Sequence, residues 1–320
     1  YKVQLSQLHS AYIEKTLVKS LPAYTEKSHL TGSWSVRGDS LFDYVTVALD
    51  EKLPYKSDMQ IGPSRIVVDI FGATSNTNWI TQLSTAKEIK NVWYEQKEDD
   101  VMRVFIELKH NQHWGYRIYY VNNALTIRVK HQPKILDLAN LTIAVDAGHG
   151  GEQSGADGIA SKILEKDYTL LIAKEVQEVL LAKKANVIMT REKDTTLSMY
   201  ERITFLNEKN PDLLISVHLN SSSKESVSGV STYYRYIGFR PLSQSILNSM
   251  LMLGLNEFGN VGSFNFALNG PTDFPNALVE VAFLSNRSDE QKILDPEFRK
   301  EVAMRIVEGI ENFLKKSQKN

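Results

Sequence analysis

At 320 residues, with 42% apolar and 23% charged side chains, the chain has an ordinary globular composition and room for two domains. A net charge of −1 gives no electrostatic reason to expect nucleic acid or an anionic membrane surface as a partner. Cysteine is absent, which excludes disulfides and leaves any metal to histidine and carboxylate, and no stretch approaches the roughly 20 apolar residues of a membrane span.

The chain starts at Tyr1 rather than Met, so an upstream segment (a signal peptide, a lipid-anchor segment or a cloning truncation) is expected to have been removed. Residues 1–27 read as a partly helical leader with little pattern. Short alternating apolar runs follow at 42–49, 65–71, 102–108 and 124–129 and predict strands. Turn residues separate them, at Gly62-Pro63-Ser64, from Gly72 to Asn76 and at Asn122-Asn123. Residues 1–131 therefore form a smaller, mainly antiparallel β domain.

Beyond a connector at 132–140 the pattern changes, and strands alternate with long helices. Strands are predicted at 141–145, 186–190, 213–217, 229–236 and 277–284. Helices are predicted at 166–181, where Leu170, Ala173, Val176 and Leu180 form one stripe, at 196–207 and at 241–258. Phe298, Val302, Ile306, Ile310 and Leu314 step by fours and mark a terminal helix. Residues 140–317 thus read as an α/β domain, a mostly parallel central sheet flanked by helices.

Ligands of open α/β sheets sit beyond the carboxyl ends of the strands. His149 lies in the glycine-rich turn Asp146-Ala147-Gly148-His149-Gly150-Gly151, four residues past the strand ending at Val145. His218, in Ser216-Val217-His218-Leu219-Asn220, directly follows the strand ending at Val217, so both histidines project from one edge. Glu165 opens a helix, where a carboxylate suits the positive end of the dipole. Together they make a His₂Glu set, one of the ligand sets of catalytic zinc, with a fourth position open for water. Zinc lowers the pKa of such a water towards ~7 and polarises a carbonyl under attack.

Gly148, Gly150 and Gly151 let the backbone turn around the metal, and Asp146 reads either as an acceptor for a ligand N–H or as an ordinary turn-capping aspartate. Glu280 lies in the apolar run Ala277-Leu278-Val279-Glu280-Val281, where a carboxylate is destabilising unless it has a role, and a general base is such a role. A lone histidine at a strand end is usually structural; two of them with Glu165 and Glu280 favour a metal-dependent hydrolase. Arg191 and Arg202 read as salt-bridge partners of Glu192 and Glu201 rather than substrate contacts. His9, His29, His110, His113 and His131 show no partner spacing and read as surface residues. Asn220-Ser221-Ser222 fits a glycosylation acceptor, a pattern too weak to use.

On these residues, 141–316 resembles the family 3 N-acetylmuramoyl-L-alanine amidases of bacterial cell-wall turnover. Ile143 to Gly151 is similar to the first zinc motif and Leu164-Glu165-Lys166-Asp167 to the glutamate segment. Thr190-Arg191 through Asp194 with Glu201-Arg202 is similar to the middle signature, Ser216 to Ser221 to the second histidine motif, and Pro275 to Asn286 to the catalytic glutamate motif. The resemblance implies zinc-dependent hydrolysis of the amide between N-acetylmuramic acid and L-alanine. It assigns His149, Glu165 and His218 as zinc ligands and Glu280 as catalytic acid/base.

The chain departs from the pattern at Asn269-Gly270, where many members carry a leucine–arginine pair, and that substrate contact is not carried over. Only 61 residues separate His218 from Glu280, fewer than in members that block their own site with an inserted helix, so no such plug is expected. The strands around 65–72, 101–108 and 124–129 are similar to the β-rich AMIN modules that place these amidases on cell-wall or envelope components. Peptidoglycan is then the substrate, an envelope-protein activator an expected partner, and the periplasm or cell exterior the expected location. The rival readings are a non-catalytic peptidoglycan-binding relative, and a zinc peptidase cutting elsewhere in the stem peptide.

Overall fold

A computed structural model describes residues 1–19, 29–77 and 79–318. They divide into two compact units, Tyr1–Asn111 with Tyr116–His131, and Gln112–Gly115 with Gln132–Asn320.

The first unit opens with a small antiparallel hairpin, β1 (Lys2–Gln4) and β2 (Ser10–Tyr12), followed by one 3₁₀ turn at Lys15–Leu17. That turn is the only helix among the described leader residues, so the expected partly helical leader is mostly hairpin; the part of it at 20–27 lies outside the described residues. The remaining strands are β3 (His29–Gly38), β4 (Phe42–Leu49), β5 (Tyr55–Gln60), β6 (Arg65–Phe71), β7 (Ala73–Thr74), β8 (Ile80–Gln82), β9 (Ile89–Glu98), β10 (Val101–Leu108), β11 (Tyr116–Val121) and β12 (Ala124–Lys130). They form an antiparallel sheet β5-β6-β10-β9 and a second sheet β11-β12-β4-β3-β7, with β8 also paired to β3. β4 shows the governing pattern: Asp43, Val45, Val47 and Leu49 are buried and the residues between them are not.

Strands β3, β5, β9 and β11 were not visible as alternating runs. β5, β9 and β11 are sheet edges, and β5 buries only Met59, so little apolar signal is needed to hold it. In β3 a register shift between Thr31 and Trp34 breaks the alternation.

The surface reading holds for His9, which is exposed, and is corrected for His29, His113 and His131. His29 and His113 are only 5% and 1% exposed, and the mostly covered His131 Nε2 meets the buried Asp43 Oδ1 at 2.7 Å. Asp43 stands 88 residues away from His131 along the chain, and sequence spacing carries no trace of that pairing.

The second unit is a six-stranded sheet with helices on both faces. In chain order it contains β13 (Thr142–Ala147), α1 (Glu165–Ala182), β14 (Asn186–Met189), α2 (Met199–Lys209), β15 (Leu213–Asn220), β16 (Val230–Tyr233), α3 (Arg240–Met250), β17 (Glu257–Val261), β18 (Asn276–Phe283), α4 (Arg287–Leu294) and α5 (Pro296–Ser317). The strand order is β14-β13-β15-β18-β16-β17. The first four run parallel, whereas β16 is antiparallel to β18 and β17 is parallel to β16. The sheet is therefore mixed rather than uniformly parallel. The cause is connection length, because a parallel return needs a crossover of a dozen or more residues and only 221–229 join β15 to β16.

One face packs on α1, α3 and α5 through Ile143, Val145, Ile215, Val279, Val176, Ile246 and Ile306. The other face, with Ala144 and Leu214, is covered by Leu206 of α2, Leu268 and Phe274. All eight residues of β18 are buried, as expected of a strand covered on both sides. The predicted helix 241–258 stops early. Gly254 takes a left-handed φ of +68°, and the chain re-emerges as β17. No described helix is long and apolar enough to cross a membrane.

Candidate metal centre

The site sits at the carboxyl edge of β13, β15 and β18. After Ala147 the Gly148 N–H donates to Val217 O at 3.0 Å, tying the turn to β15. His149 then adopts φ +61°, a left-handed conformation that is uncommon for a side-chain-bearing residue and that collects at functional sites. His218 stands on β15 directly opposite Glu280 on β18, so the parallel register puts both side chains on one face. Glu165 is the first residue of α1 and brings its carboxylate to the same edge.

His149 Nε2 and His218 Nδ1 approach Glu165 Oε1 at 3.1 and 3.0 Å, and the two imidazoles meet edge to face with centroids 5.0 Å apart. The ligand atoms of the three residues all lie within 4.8 Å of one another, a spacing that can hold one metal ion. Glu165 also accepts from Ala156 N at 2.8 Å and Leu219 N at 3.0 Å, which fixes its carboxylate from two further segments. Glycine is required where these side chains crowd the backbone. A Cβ on Gly148 would run into the His218 ring, and one on Gly155 (φ +72°) into Glu165 and His149. The sequence reading included Gly148 and missed Gly155, whose role depends on a fold-back that spacing does not reveal.

The two buried glutamates differ sharply. Burial raises the Glu165 pKa, but hydrogen bonds from His149 and His218 outweigh it and bring the carboxyl down to about 2. Burial pushes Glu280 up to about 7, with the neighbouring Glu165 adding to the rise and His218 opposing it. Glu280 Oε2 has no hydrogen-bond partner among the described residues although it is enclosed. Burial disfavours the charged His218, but Glu165 and then Glu280 raise its pKa on balance. A cleft of about 410 Å³ opens over these groups, with Met199, Phe266, Leu268 and Leu278 forming an apolar wall.

Three sequence expectations are corrected by these contacts. Asp146 accepts no ligand N–H; its partners are Thr190 Oγ1 at 2.7 Å, Ser216 Oγ at 2.6 Å and Arg202 Nη1 at 2.5 Å. Burial opposes its charge, yet Arg202 with those hydroxyls holds the carboxyl below its usual range. Arg202 pairs with Asp146 and not Glu201, and donates to the carbonyls of Ala147 and His149. Arg191 pairs with no neighbouring glutamate and donates to Ala147 O at 3.0 Å, Gly148 O at 2.9 Å and Lys166 O at 2.6 Å. A signal for Arg202 was present: it occupies the buried stripe of α2, four residues before Leu206. Asn269 is 1% exposed and donates to Asn276 Oδ1 at 3.1 Å, so it braces the strand entry instead of lining the cleft.

Comparison with known proteins agrees with this geometry. The family model described as N-acetylmuramoyl-L-alanine amidase matches residues 143–312, and the AMIN domain model matches 34–138. The germination-specific N-acetylmuramoyl-L-alanine amidase of Bacillus subtilis (strain 168) is 32% identical over 197 residues, covering 56% of this chain and 82% of the relative. Among solved structures, the catalytic domain of CwlV, an N-acetylmuramoyl-L-alanine amidase from Bacillus (Paenibacillus) polymyxa var. colistinus, shares 32% identity with a TM-score of 0.53, over 55% of this chain and 98% of that one. The CwlD amidase from Clostridioides difficile, solved in complex with the GerS lipoprotein, shares 26% identity with a TM-score of 0.52, over 55% of this chain and 99% of its own. With the matched segment spanning every residue of the His149–Glu165–His218–Glu280 cluster, the chain belongs to the N-acetylmuramoyl-L-alanine amidase family and carries an AMIN domain ahead of its catalytic unit.

Proposed function

We propose that this amidase is zinc-dependent, with His149, Glu165 and His218 as the metal ligands and Glu280 as the catalytic acid/base. The observation that carries the reading is the pairing of Glu280 with His218 across adjacent strands, which stands a buried, unpaired carboxylate oxygen beside the three donors. Two imidazoles and a carboxylate suit zinc, and the glycines at 148 and 155 leave the room that those three side chains occupy. Zinc held there supplies a Lewis acid that polarises the scissile carbonyl and acidifies water.

The chain's own residues account for the proton traffic. Glu280, enclosed beside the donors with one oxygen unpaired, takes a proton from the attacking water and delivers it to the amide nitrogen as the C–N bond breaks. The stem peptide leaves with its L-alanine amine free, and the lactyl group of the muramic acid is left as a carboxylic acid, which passes its proton to solvent or to the released amine. Glu165, held ionised by His149 and His218, serves as a permanent anion and not as a second acid.

The substrate places the enzyme in the cell envelope, periplasmic or extracellular, with the AMIN unit as its localisation module. Between His218 and Glu280 in the chain, the cleft is lined by Phe266, Ala267 and Leu268, while α3 is packed in the core through Leu242, Ile246 and Leu247. This supports a site open without a plug helix and active without displacement of one; a lipoprotein partner of the kind bound by CwlD would then act by stabilising or placing the enzyme.

The test is digestion of purified sacculi by the zinc-loaded protein, with soluble products identified by mass spectrometry. Stem peptides beginning with L-alanine are expected. Cleavage within the stem would make the protein a peptidase, and zinc binding without release would make it a binding relative or an enzyme that requires its activator.

A further inference from the structure

Behind the three donors lies a second layer of side chains that the proposed reaction does not use. Arg202 and Asp146 are 0% and 1% exposed. Arg202 bonds Asp146 and the carbonyls on either side of Gly148, those of Ala147 and His149. Asp146 reaches the strand of His218 through Ser216 Oγ at 2.6 Å. Arg191 reaches the helix of Glu165, donating to Gly148 O at 2.9 Å and to Lys166 O at 2.6 Å, while Thr169 of the same helix donates to Gly148 O at 2.7 Å. One connected network thus joins the three segments that carry the donors. It also holds the carbonyl of His149, the residue kept at φ +61°.

We infer that Arg202, acting through Asp146 and the carbonyls of Ala147 and His149 and assisted by Arg191, is the positioning residue that sets the three donors at chelating spacing before any cation arrives. The inference rests on the zinc reading of the site. Simple electrostatics predicts the opposite sign. Deleting a cation beside a metal site should tighten the binding of a dication, whereas deleting a positioning residue should weaken it.

The experiment compares Arg202→Met, Arg202→Lys and Leu206→Ala in the full chain. Leu206 lies one turn further along the same helix and is fully buried, but belongs to the apolar packing and not to the network. Zinc affinity is measured by competition with a chelating dye, Co²⁺ substitution gives the ligand-field spectrum, and hydrogen exchange of residues 146–151 is followed in the metal-free protein. Arg202→Met is expected to weaken zinc by about 10–100-fold, to alter the Co²⁺ spectrum and to speed exchange in the turn. Arg202→Lys should recover only part of this, because an ammonium lacks the planar fork that bonds Asp146 and two carbonyls together. Leu206→Ala should lower the melting temperature and leave zinc affinity within about threefold of wild type.

Unchanged or tighter zinc binding in Arg202→Met, unchanged exchange in the turn, or an equal loss in Leu206→Ala each overturns the inference. Wild-type protein that takes up no zinc overturns the underlying reading instead, and is seen before any variant is made. If Arg202→Met does not fold, Ser216→Ala removes one link of the same network and is expected to weaken zinc a few-fold; no weakening there overturns the inference as well.

Discussion

The two walls of the cleft are built on opposite principles. On the β13–α1 side the polar groups are held: Glu165 takes four donors, and Asp146 takes two hydroxyls and a guanidinium. On the β18 side Glu280 stands among apolar neighbours with one oxygen unpaired. Both carboxylates are shielded from water, so burial alone does not decide their chemistry. Hydrogen bonds do: those from His149 and His218 bring Glu165 down to about 2, whereas Glu280, without such bonds, is left by burial at about 7. The saturated wall is suited to hold a cation; the unsaturated wall is suited to exchange a proton.

Exchanging the two glutamates for neutral isosteres is the sharpest way to break this contrast. Glu280→Gln should lower amide hydrolysis by about 10²–10⁴-fold while zinc content, measured by atomic absorption, stays at wild-type level. Glu165→Gln should do the reverse in kind, with zinc lost on dialysis and activity falling with it. Residual activity in Glu280→Gln within tenfold of wild type would put the acid/base elsewhere.

The next effect is the pH dependence of the metal-free protein. Glu280 has a folded pKa raised to about 7, so its neutral form is favoured by folding. The resulting destabilisation is absent at low pH, sets in above the unfolded value near ~4.3, and is complete above about 7. Glu280→Gln should therefore raise stability by a few kcal/mol at pH 8 and have little effect at pH 4. Glu165 has the opposite sign, because its depressed pKa contributes stability above ~4.3 that is lost as pH falls towards 2. Urea denaturation of both variants across pH 2–8 checks the two slopes, and parallel curves would show the walls to be equivalent.

Gly155→Ala tests the cradle itself. Its Cβ meets Glu165 and His149 at a backbone angle unfavourable to any side chain, so a loss of about 1–3 kcal/mol in stability and weaker zinc binding are expected. The smallest effect lies outside both walls. Ser198 caps α2 with the reciprocal Glu201 bonds, and Ser198→Ala should lower stability by about 1 kcal/mol with zinc affinity unchanged. A change of zinc affinity in that variant would mean that fraying of α2 reaches Arg202.

Local chemistry was legible along the chain because it repeats at short range. The apolar stripe of α1, the alternation of β4 and the four-residue steps of α5 each bury one face, and period alone reveals the face. His149, His218 and Glu165 were legible for a related reason: in a sheet of this kind functional side chains gather where strands end and helices begin. Edge strands such as β5 were not, since an edge needs little apolar surface. Nor was the reversal of β16, which follows from how many residues connect two strands and which neighbour each finally finds.

By itself, then, the order of residues determined most of the elements and singled out His149, Glu165, His218 and Glu280 as candidates for one site. Only the tertiary structure decided the partners: that Arg202 bonds Asp146 across 56 residues rather than Glu201 next to it, that Gly155 folds back on Glu165, and that Glu280 is left alone. The reason is one of range. Burying an apolar face is a property of a segment, whereas pairing a charge depends on which distant segment arrives against it once the core has closed.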